Sequence, residues 1–391
     1  MKPLHDITVL EFSTMVTASL ATMMMAEQGA RVIKVEPIET GDPLRYLGTA
    51  KGGISAIFAN CNRGKQSIRV DLKTEEGRNV IVELAKHIDV LIHNFRPGVM
   101  DELKLGSDAL RSNNDRLIYT AISGFGKGGP LASAPAYDPV IQAHAGFTAS
   151  QGTDTPTFIR NLMCDKITAY TACQAVTSAL FHRERTGQGQ HLDVAMLDAG
   201  LFFIFPDAFM NHTLLDGDVV EQPLLADLLY ELTETKDGAI TISAGTDRQR
   251  LGVVQAVGRE DLFQDPRFSS LESLMENLET FRGILREAFL ELTTADALKR
   301  LQQQDVPCAR CHGHDEVLTQ PQLDHNGTVV ERDHPLMGRM RVIRSPARFH
   351  GEPLPVTGHA PAHGEHTEDV LLDFGFSKDD LAAWRNAGSI A

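Results

Sequence analysis

Residues 7–36 read ITVLEFSTMVTASLATMMMAEQGARVIKVE, and this stretch decides the fold. Ile7 to Leu10 is a short apolar run with the branching of a buried strand. A polar turn follows at Glu11 to Thr14. Ala18 to Gln28 is rich in Ala and Met, both good helix formers, and Gly29 punctuates its end. Arg31 to Glu36 is then a second strand. Strand, helix and strand at this spacing make a βαβ unit, the start of a doubly wound parallel sheet. No G-x-G-x-x-G joins the first strand to the helix, so a plain NAD-binding reading is weak from the outset.

The pattern continues outward. The loop ETGDPLRYLG carries turn chemistry at Gly41, Asp42 and Pro43. Ser67 to Leu72 alternates apolar and polar residues as a strand does. The following helix has an acidic first turn, Glu75 and Glu76, and closes at Glu83 to His87. Asp89 to His93 is a further strand, and Asn94-Phe95-Arg96-Pro97-Gly98 leaves its C-terminal end, the edge where open α/β sheets collect ligands. Leu117 to Ile122 is another strand, emptying into Gly124-Phe-Gly126-Lys-Gly-Gly129. That loop satisfies G-x-G-x-x-G, yet Pro130 and SAPAYDP follow it. No helix opens behind it to receive a pyrophosphate, and it reads as a close-approach loop beside a site.

A helix is expected from Asp165 to about Arg185, and a strand over His191 to Met196. Leu201 to Phe209 is apolar and aromatic, and rising polarity through Asn211 to Gln222 marks a domain exit. Leu224 to Gln322 mixes strand signals (AITIS) with helical ones, as a smaller α+β domain does. The chain then becomes loop-rich and ends on a helix over Asp379 to Asn386 that holds its only tryptophan, Trp384. The expected divisions are a large domain over 1–205, a linker over 206–224, a small domain over 225–322, and a return segment over 323–391.

Composition excludes several partner classes. The 391 residues are 42% hydrophobic and 23% charged, with a net charge of −15. Such a balance argues against nucleic acid and against an anionic membrane surface. Residues 1–100 are close to neutral, so an anionic small molecule is repelled least there. No secretory pattern opens the chain and no apolar run approaches the roughly 18 residues of a membrane span, so a cytoplasmic location is expected. Five cysteines fit reduced thiols. Cys308-x-x-Cys311-His312 has the form of a c-type haem signal, but the export signal such attachment needs is missing. His314 beside it, and His359, His363 and His366 later, have no convincing metal-ligand spacing. No metal and no bound cofactor are expected.

Asp165 is the residue with the most chemistry. An aspartate before a helix is ordinarily an N-cap, accepting from the N2 or N3 amide. The same amides would keep a carboxylate oriented as a nucleophile needs. Arg45, Arg63, Lys65 and Arg96 sit in or beside loops after strands and together could meet phosphates, though each alone is ordinarily a solvated charge. Tyr137 reads as a packing aromatic, and His144, on an apolar run, as a core histidine.

ITVLEFS with RVIKVE, the GDPLR loop, NCNRGKQSIRVDLKTEEG, NFRPGVMDELKLG, LIYTAISGFGKGGP, PAYDPVIQAHAG, RERTGQGQHLDVAMLDA and GEHTEDVLLDFGFS occur in that order. Together they resemble the class III CoA-transferases (CaiB/BaiF type), the superfamily of formyl-CoA transferases and α-methylacyl-CoA racemases. The resemblance implies a large Rossmann-like domain whose parallel sheet is built from both chain ends, a small central domain, and a homodimer of interlocked rings. It implies an acyl-CoA donor and a carboxylic acid acceptor as substrates, with coenzyme A handled as substrate. It places the catalytic aspartate on Asp165, which would form aspartyl anhydride and aspartyl-CoA thioester intermediates. CoA contacts would fall on Val16, Thr17, Val70, Asp71, Leu72, Lys73, Asn94, Phe95, Arg96 and Tyr137, and substrate contacts on Tyr137 and Arg45.

Departures from the family pattern narrow this reading. Pro37 stands where some formyl-CoA transferases place an arginine against the adenine, and Glu102 where some relatives are basic. No glycine run matches the loop that covers the aspartate in formyl-CoA transferases; Ser243 to Asp247 is the nearest candidate. Formate and oxalate are therefore poor guesses for the acyl groups. A rival reading is a 2-methylacyl-CoA racemase, which needs an acid/base pair on opposite faces of the α-carbon. The histidine of that pair aligns with Tyr137, which favours transfer. A non-catalytic acyl-CoA-binding protein is the second rival, and Asp165 argues against it.

Overall fold

The computed structural model describes residues 2–152 and 154–391. Six strands form its main sheet: β1 (Thr8–Phe12), β2 (Arg31–Glu36), β3 (Gln66–Arg69), β4 (Val90–His93), β5 (Ile118–Ser123) and β6 (His191–Ala195). They lie in the order β3-β2-β1-β4-β5-β6 with every neighbouring pair parallel. The order reverses between β1 and β4. That reversal opens a crevice at the C-terminal strand ends, where doubly wound sheets bind ligands.

Parallel strands covered by helices are buried on both faces, which explains their near-continuous apolar runs. The helices used below are α1 (Thr17–Glu27), α2 (Glu75–Ala85), α3 (Asp138–Ala145), α4 (Met163–Thr186) and α5 (Met196–Ala208). On one face Leu10, Leu91 and Tyr119 pack against Val80, Ile81 and Leu84 of α2. Thr74 starts α2 by accepting from the Gly77 amide, with Glu75 and Glu76 in the positive first turn. On the other face α1 and α4 pack together. Gly29 ends the α1 segment at φ 109°, and a Cβ there would sit 2.6 Å from the Lys2 side chain. Leu201 to Phe209 falls largely within α5.

Under α1 the core is not apolar. Lys34 on β2 lies 2.8 Å from Glu11 Oε1 and 3.0 Å from Asp42 Oδ2, and Lys65 lies 2.8 Å from Glu11 Oε2. Glu11, Lys34 and Asp42 are wholly buried, and Lys65 nearly so. Burial would raise the Glu11 carboxyl, but the two ammonium groups outweigh it and hold it well below the usual range. Burial likewise opposes the charge on Lys34, yet Glu11 and Asp42 hold its ammonium above the ordinary value. Burial pushes Lys65 down to about 8, with Lys34 adding to the effect and Glu11 resisting it. Thr22 donates to Glu11 at 2.6 Å, and Asn62 accepts from Lys65 at 2.8 Å. These bonds offset part of the cost of burying the charges, and among the described residues Asp42 Oδ2 is met only by the Lys34 ion pair.

The chain divides into two units, 1–204 with 322–391 and 205–321. The expected linker at 206–224 falls within the second unit. In the first unit the C-terminal segment is stitched to β3. The His366 amide donates to Ser67 O at 2.9 Å, the Arg69 amide donates to Thr367 Oγ1 at 3.1 Å, and the Asp71 amide donates to Ser389 O at 2.9 Å. The three late histidines have protein partners here: His359 pairs with Glu365, His363 with the Pro37 carbonyl, and His366 with the Ser67 amide. Of these histidines, His363 and His366 act as staples between the C-terminal segment and the sheet edge. The second unit has a three-stranded antiparallel sheet of Thr233–Thr235, Gly238–Ile242 and Cys308–Arg310. Its core includes Ile240, Val253, Phe289 and Leu301. Cys308 is spent on a strand position opposite Ile242. Among the described residues, no helix is long and apolar enough to cross a membrane.

The charge cluster makes a measurable demand. Lys34→Met leaves Glu11 and Asp42 buried without their shared cation and costs on the order of 3–5 kcal/mol in urea unfolding. Arg385→Ala removes an exposed, solvent-screened pair with Glu368 and should leave the unfolding midpoint nearly unchanged. Equal effects would contradict the role given to the cluster.

Candidate functional site

A cleft enclosing about 1280 Å³, part of it open to solvent, lies at the C-terminal ends of β1, β4 and β5. Its lining includes Thr14, Met15 and Thr17 after β1, and Asn94, Phe95 and Arg96 after β4. Tyr137, Asp138 and Asp165 complete it from the segments after β5. The sheet reversal thus brings together Thr14 and Asp165, 151 positions apart in the chain.

Asp165 is partly buried in the first turn of α4. It is not the N-cap expected from the sequence: that position is Leu162, with no side-chain bond. The Asp165 amide instead donates to Asp138 Oδ2 at 3.0 Å, so Asp138 supplies the capping carboxylate from the start of α3. Asp138 is buried, and its Oδ1 accepts from Gln142 Nε2 at 2.6 Å. Gln142 Nε2 also donates to the carbonyls of Ile159 and Asn161 at 3.1 and 3.0 Å, and its Oε1 accepts from the Ile159 amide at 3.1 Å. These bonds fix the segment leading into α4, and with it the position of Asp165. Among the described residues, no hydrogen bond reaches the Asp165 carboxylate itself.

The electrostatics of this pair decide what Asp165 can do. Burial and the nearby Asp138 charge push its carboxyl up to about 7, against a smaller opposing pull from Lys166. A carboxylate so poised is more basic than an ordinary one, and it faces the cleft with its lone pairs unengaged. Both properties suit a nucleophile.

Asn94 brackets the loop after β1. Its Oδ1 accepts from the Thr14 amide at 3.0 Å, and its Nδ2 donates to Thr14 O at 2.7 Å and to Thr17 Oγ1 at 3.1 Å. Arg96 is exposed on the lining, and among the described residues no carboxylate pairs with it. Tyr137 is 66% exposed. Gly124 packs directly on Ala136, and a Cβ there would come within 2.3 Å of the Ala136 Cβ. Gly124 is therefore a close-approach point in the cleft wall, while Gly126, Gly128 and Gly129 stand in open space outside the lining.

Other expected site residues lie elsewhere. Val16 is buried in an apolar cluster with Leu44 and Phe58. Val70 is buried and bridges to Ile390. Asp71, Leu72 and Lys73 form the turn after β3, at the same sheet edge but outside the cleft lining. Arg45 is buried, pairing with Glu36 at 2.6 Å, donating to Pro361 O at 2.9 Å and lying 3.9 Å from the Phe58 ring centre. It is a structural ion pair away from this lining. Arg63 is likewise spent on Glu27 and Lys65 on Glu11. His144 is exposed, edge-on to Phe125 at 5.1 Å, and is not a core histidine. Sequence draws attention to the Tyr137–Asp138 pair without giving Asp138 a role and does not point to Gln142, although Asp138-Pro139 is an ordinary helix-start signal.

Comparison with known proteins gives a consistent result. The CoA-transferase family III profile matches residues 4–367. The acetyl-CoA:oxalate CoA-transferase of Acetobacter aceti is 30% identical over 92% of this chain and 91% of its own. The probable fatty acyl-CoA transferase Rv3272 of Mycobacterium tuberculosis is 32% identical over 95% of this chain and 98% of its own. A crystal structure of Rv3272 superposes with a TM-score of 0.83, covering 94% of this chain and 98% of that one. A CaiB/BaiF family protein from Brucella suis, 29% identical, superposes with a TM-score of 0.84, covering 95% and 99% of the two chains.

The raised Asp165 carboxyl has a signature in stability. Its folded value, about 7, lies above the ordinary 3.8, so the fold disfavours the ionised form. The penalty is absent below the unfolded value, grows as pH rises between the two values and is complete above the folded one. Asp165→Asn should raise the melting temperature by several degrees at pH 8 and by little at pH 4. An equal shift at both pH values would show that Asp165 is not perturbed.

Proposed function

The chain belongs to CoA-transferase family III, and we propose that it moves CoA from an acyl-CoA to a carboxylic acid through covalent intermediates on Asp165. That it is a CoA-transferase follows from the family; the chemistry is argued from the cleft. The observation that carries it is a partly buried, unengaged Asp165 carboxylate, its own amide held by Asp138, at the sheet's switch point.

An Asp165 oxygen attacks the donor thioester carbonyl, the C–S bond breaks, and an aspartyl–acyl anhydride forms with release of CoA thiolate. The thiolate attacks the aspartyl carbonyl of that anhydride, expelling the donor acid and leaving an aspartyl-CoA thioester. The acceptor carboxylate attacks this thioester to give a second anhydride and CoA thiolate. The thiolate then takes the acceptor acyl group and returns Asp165 as carboxylate. Each intermediate conserves the activation of the thioester, which simple hydrolysis would lose. Arg96, exposed at the C-terminal edge of β4, is placed to meet a CoA phosphate with its planar fork. Tyr137, rather than a histidine, beside Asp138 supports transfer over α-proton exchange, because a neutral phenol is a poor base near neutral pH.

The homodimer implied by the family is part of this reading. Leu215, Val220 and Tyr230 of the second unit are 92%, 79% and 81% exposed in the single chain. Apolar side chains so exposed are consistent with cover by a second copy.

Hydroxylamine intercepts anhydrides and thioesters. With an acyl-CoA donor present it should inactivate the enzyme and leave a hydroxamate on Asp165; an unmodified Asp165 during turnover would sink the mechanism. Because Asp138 raises the Asp165 carboxyl, Asp138→Asn should move the acidic limb of kcat/KM down by about one pH unit. An unmoved limb would separate Asp138 from the nucleophile.

A further inference from the structure

The loop between β1 and α1 holds a backbone conformation that its own sequence does not favour. Met15 has φ 64°, in the left-handed region that non-glycine residues seldom occupy. A residue persists there only where the surroundings over-determine it, and such residues cluster at functional sites. Met15 is part of the cleft lining, as are its neighbours Thr14 and Thr17.

Two side chains impose the conformation. Asn94 holds Thr14 from both sides of its peptide unit, as described. The Met15 amide donates to Asp42 Oδ1 at 3.1 Å, and the same oxygen accepts from the Leu44 amide at 2.9 Å. Asp42 is wholly buried, and its amide donates to Glu36 Oε2 at 2.9 Å. Its other oxygen lies 3.0 Å from Lys34 Nζ, and Lys34 also donates to the Ser13 carbonyl at 3.0 Å. The buried cation therefore grips the start of the loop directly and its middle through Asp42.

We propose that Asp42 is a positioning residue for the CoA cleft, its carboxylate fixing the Thr14–Met15 turn so that this stretch forms the wall against which CoA binds. The inference rests on the proposed use of this cleft for CoA. Asp42 lies outside the cleft lining and acts through the Met15 amide and Lys34. Its place in GDPLR, read from sequence as ordinary turn chemistry, is only half of what it does.

The test uses the intact enzyme, free CoA as the calorimetric probe, and three variants. Asp42→Ala deletes the acceptor. Met15→Val leaves Asp42 in place but puts a β-branched residue where φ is positive, and Met15→Gly relieves that strain. Asp42→Ala and Met15→Val should each weaken CoA binding by about tenfold or more, and Met15→Gly, which loses the side chain but relieves the strained turn, should bind CoA severalfold more tightly than Met15→Val. With acyl-CoA the two damaging variants should raise KM while kcat at saturation stays within about threefold, a split that general destabilisation would not produce. If Asp42→Ala does not fold, the two Met15 variants carry the test. Wild-type binding with Met15→Val also within about twofold would overturn the positioning role alone. Wild type that binds no CoA in this cleft would overturn the reading of the cleft, and the inference with it.

Discussion

The structure depends on a buried cation. Lys34 sits on the second strand of the sheet, sealed from water, between Glu11 on the first strand and Asp42 on the loop beyond. Charges so placed are expensive unless each has its partners, and removing one leaves the others uncompensated. The cluster therefore specifies an arrangement: strands β1 and β2 in register, α1 laid over them with Thr22 on Glu11, and the β1–α1 loop held from below. An apolar core of the same volume could match its stability but would not aim that loop.

From this base the cleft follows by topology. Reversal of strand order between β1 and β4 opens the sheet edge where Asn94 can bracket Thr14. Asp138, at the start of α3, then caps α4 through the Asp165 amide, so two carboxylates lie together at the mouth of one helix. Solvation would separate such a pair in an open loop. Held by Gln142 and by burial, they remain side by side, and Asp165 carries the consequence as a raised carboxyl.

Much of the sheet was legible in the sequence because apolar runs and glycine stops are local signals. RVIKVE is the second strand at the boundaries expected, and β4 and β6 lie within a residue of expectation at either end. The site was less legible, for a physical reason. Arg45, Arg63 and Lys65 look like phosphate-binding loop cations in sequence, yet each is buried against a carboxylate, Arg45 against nearby Glu36 and the other two against Glu27 and Glu11 far back in the chain. Which carboxylate each cation meets, and that the pair is buried, are tertiary facts that local sequence does not state. Asp165 was found, but its capping role was misassigned, because the carboxylate that serves the helix comes from Asp138, 27 positions earlier. His144 was misread because an apolar run says that a helix packs, not which of its faces does so.

In the proposed mechanism Asp165 exchanges its own oxygen during transfer. If the acceptor acid carries heavy oxygen in both carboxyl positions, its attack on the aspartyl thioester places one of them on the Asp165 side chain in each cycle. Mass spectrometry of the peptide bearing Asp165 after a few turnovers should therefore find first one and then two heavy oxygens in that side chain, matched by loss of one from the acyl-CoA formed. Formation of acyl-CoA with an unlabelled Asp165 would contradict the account.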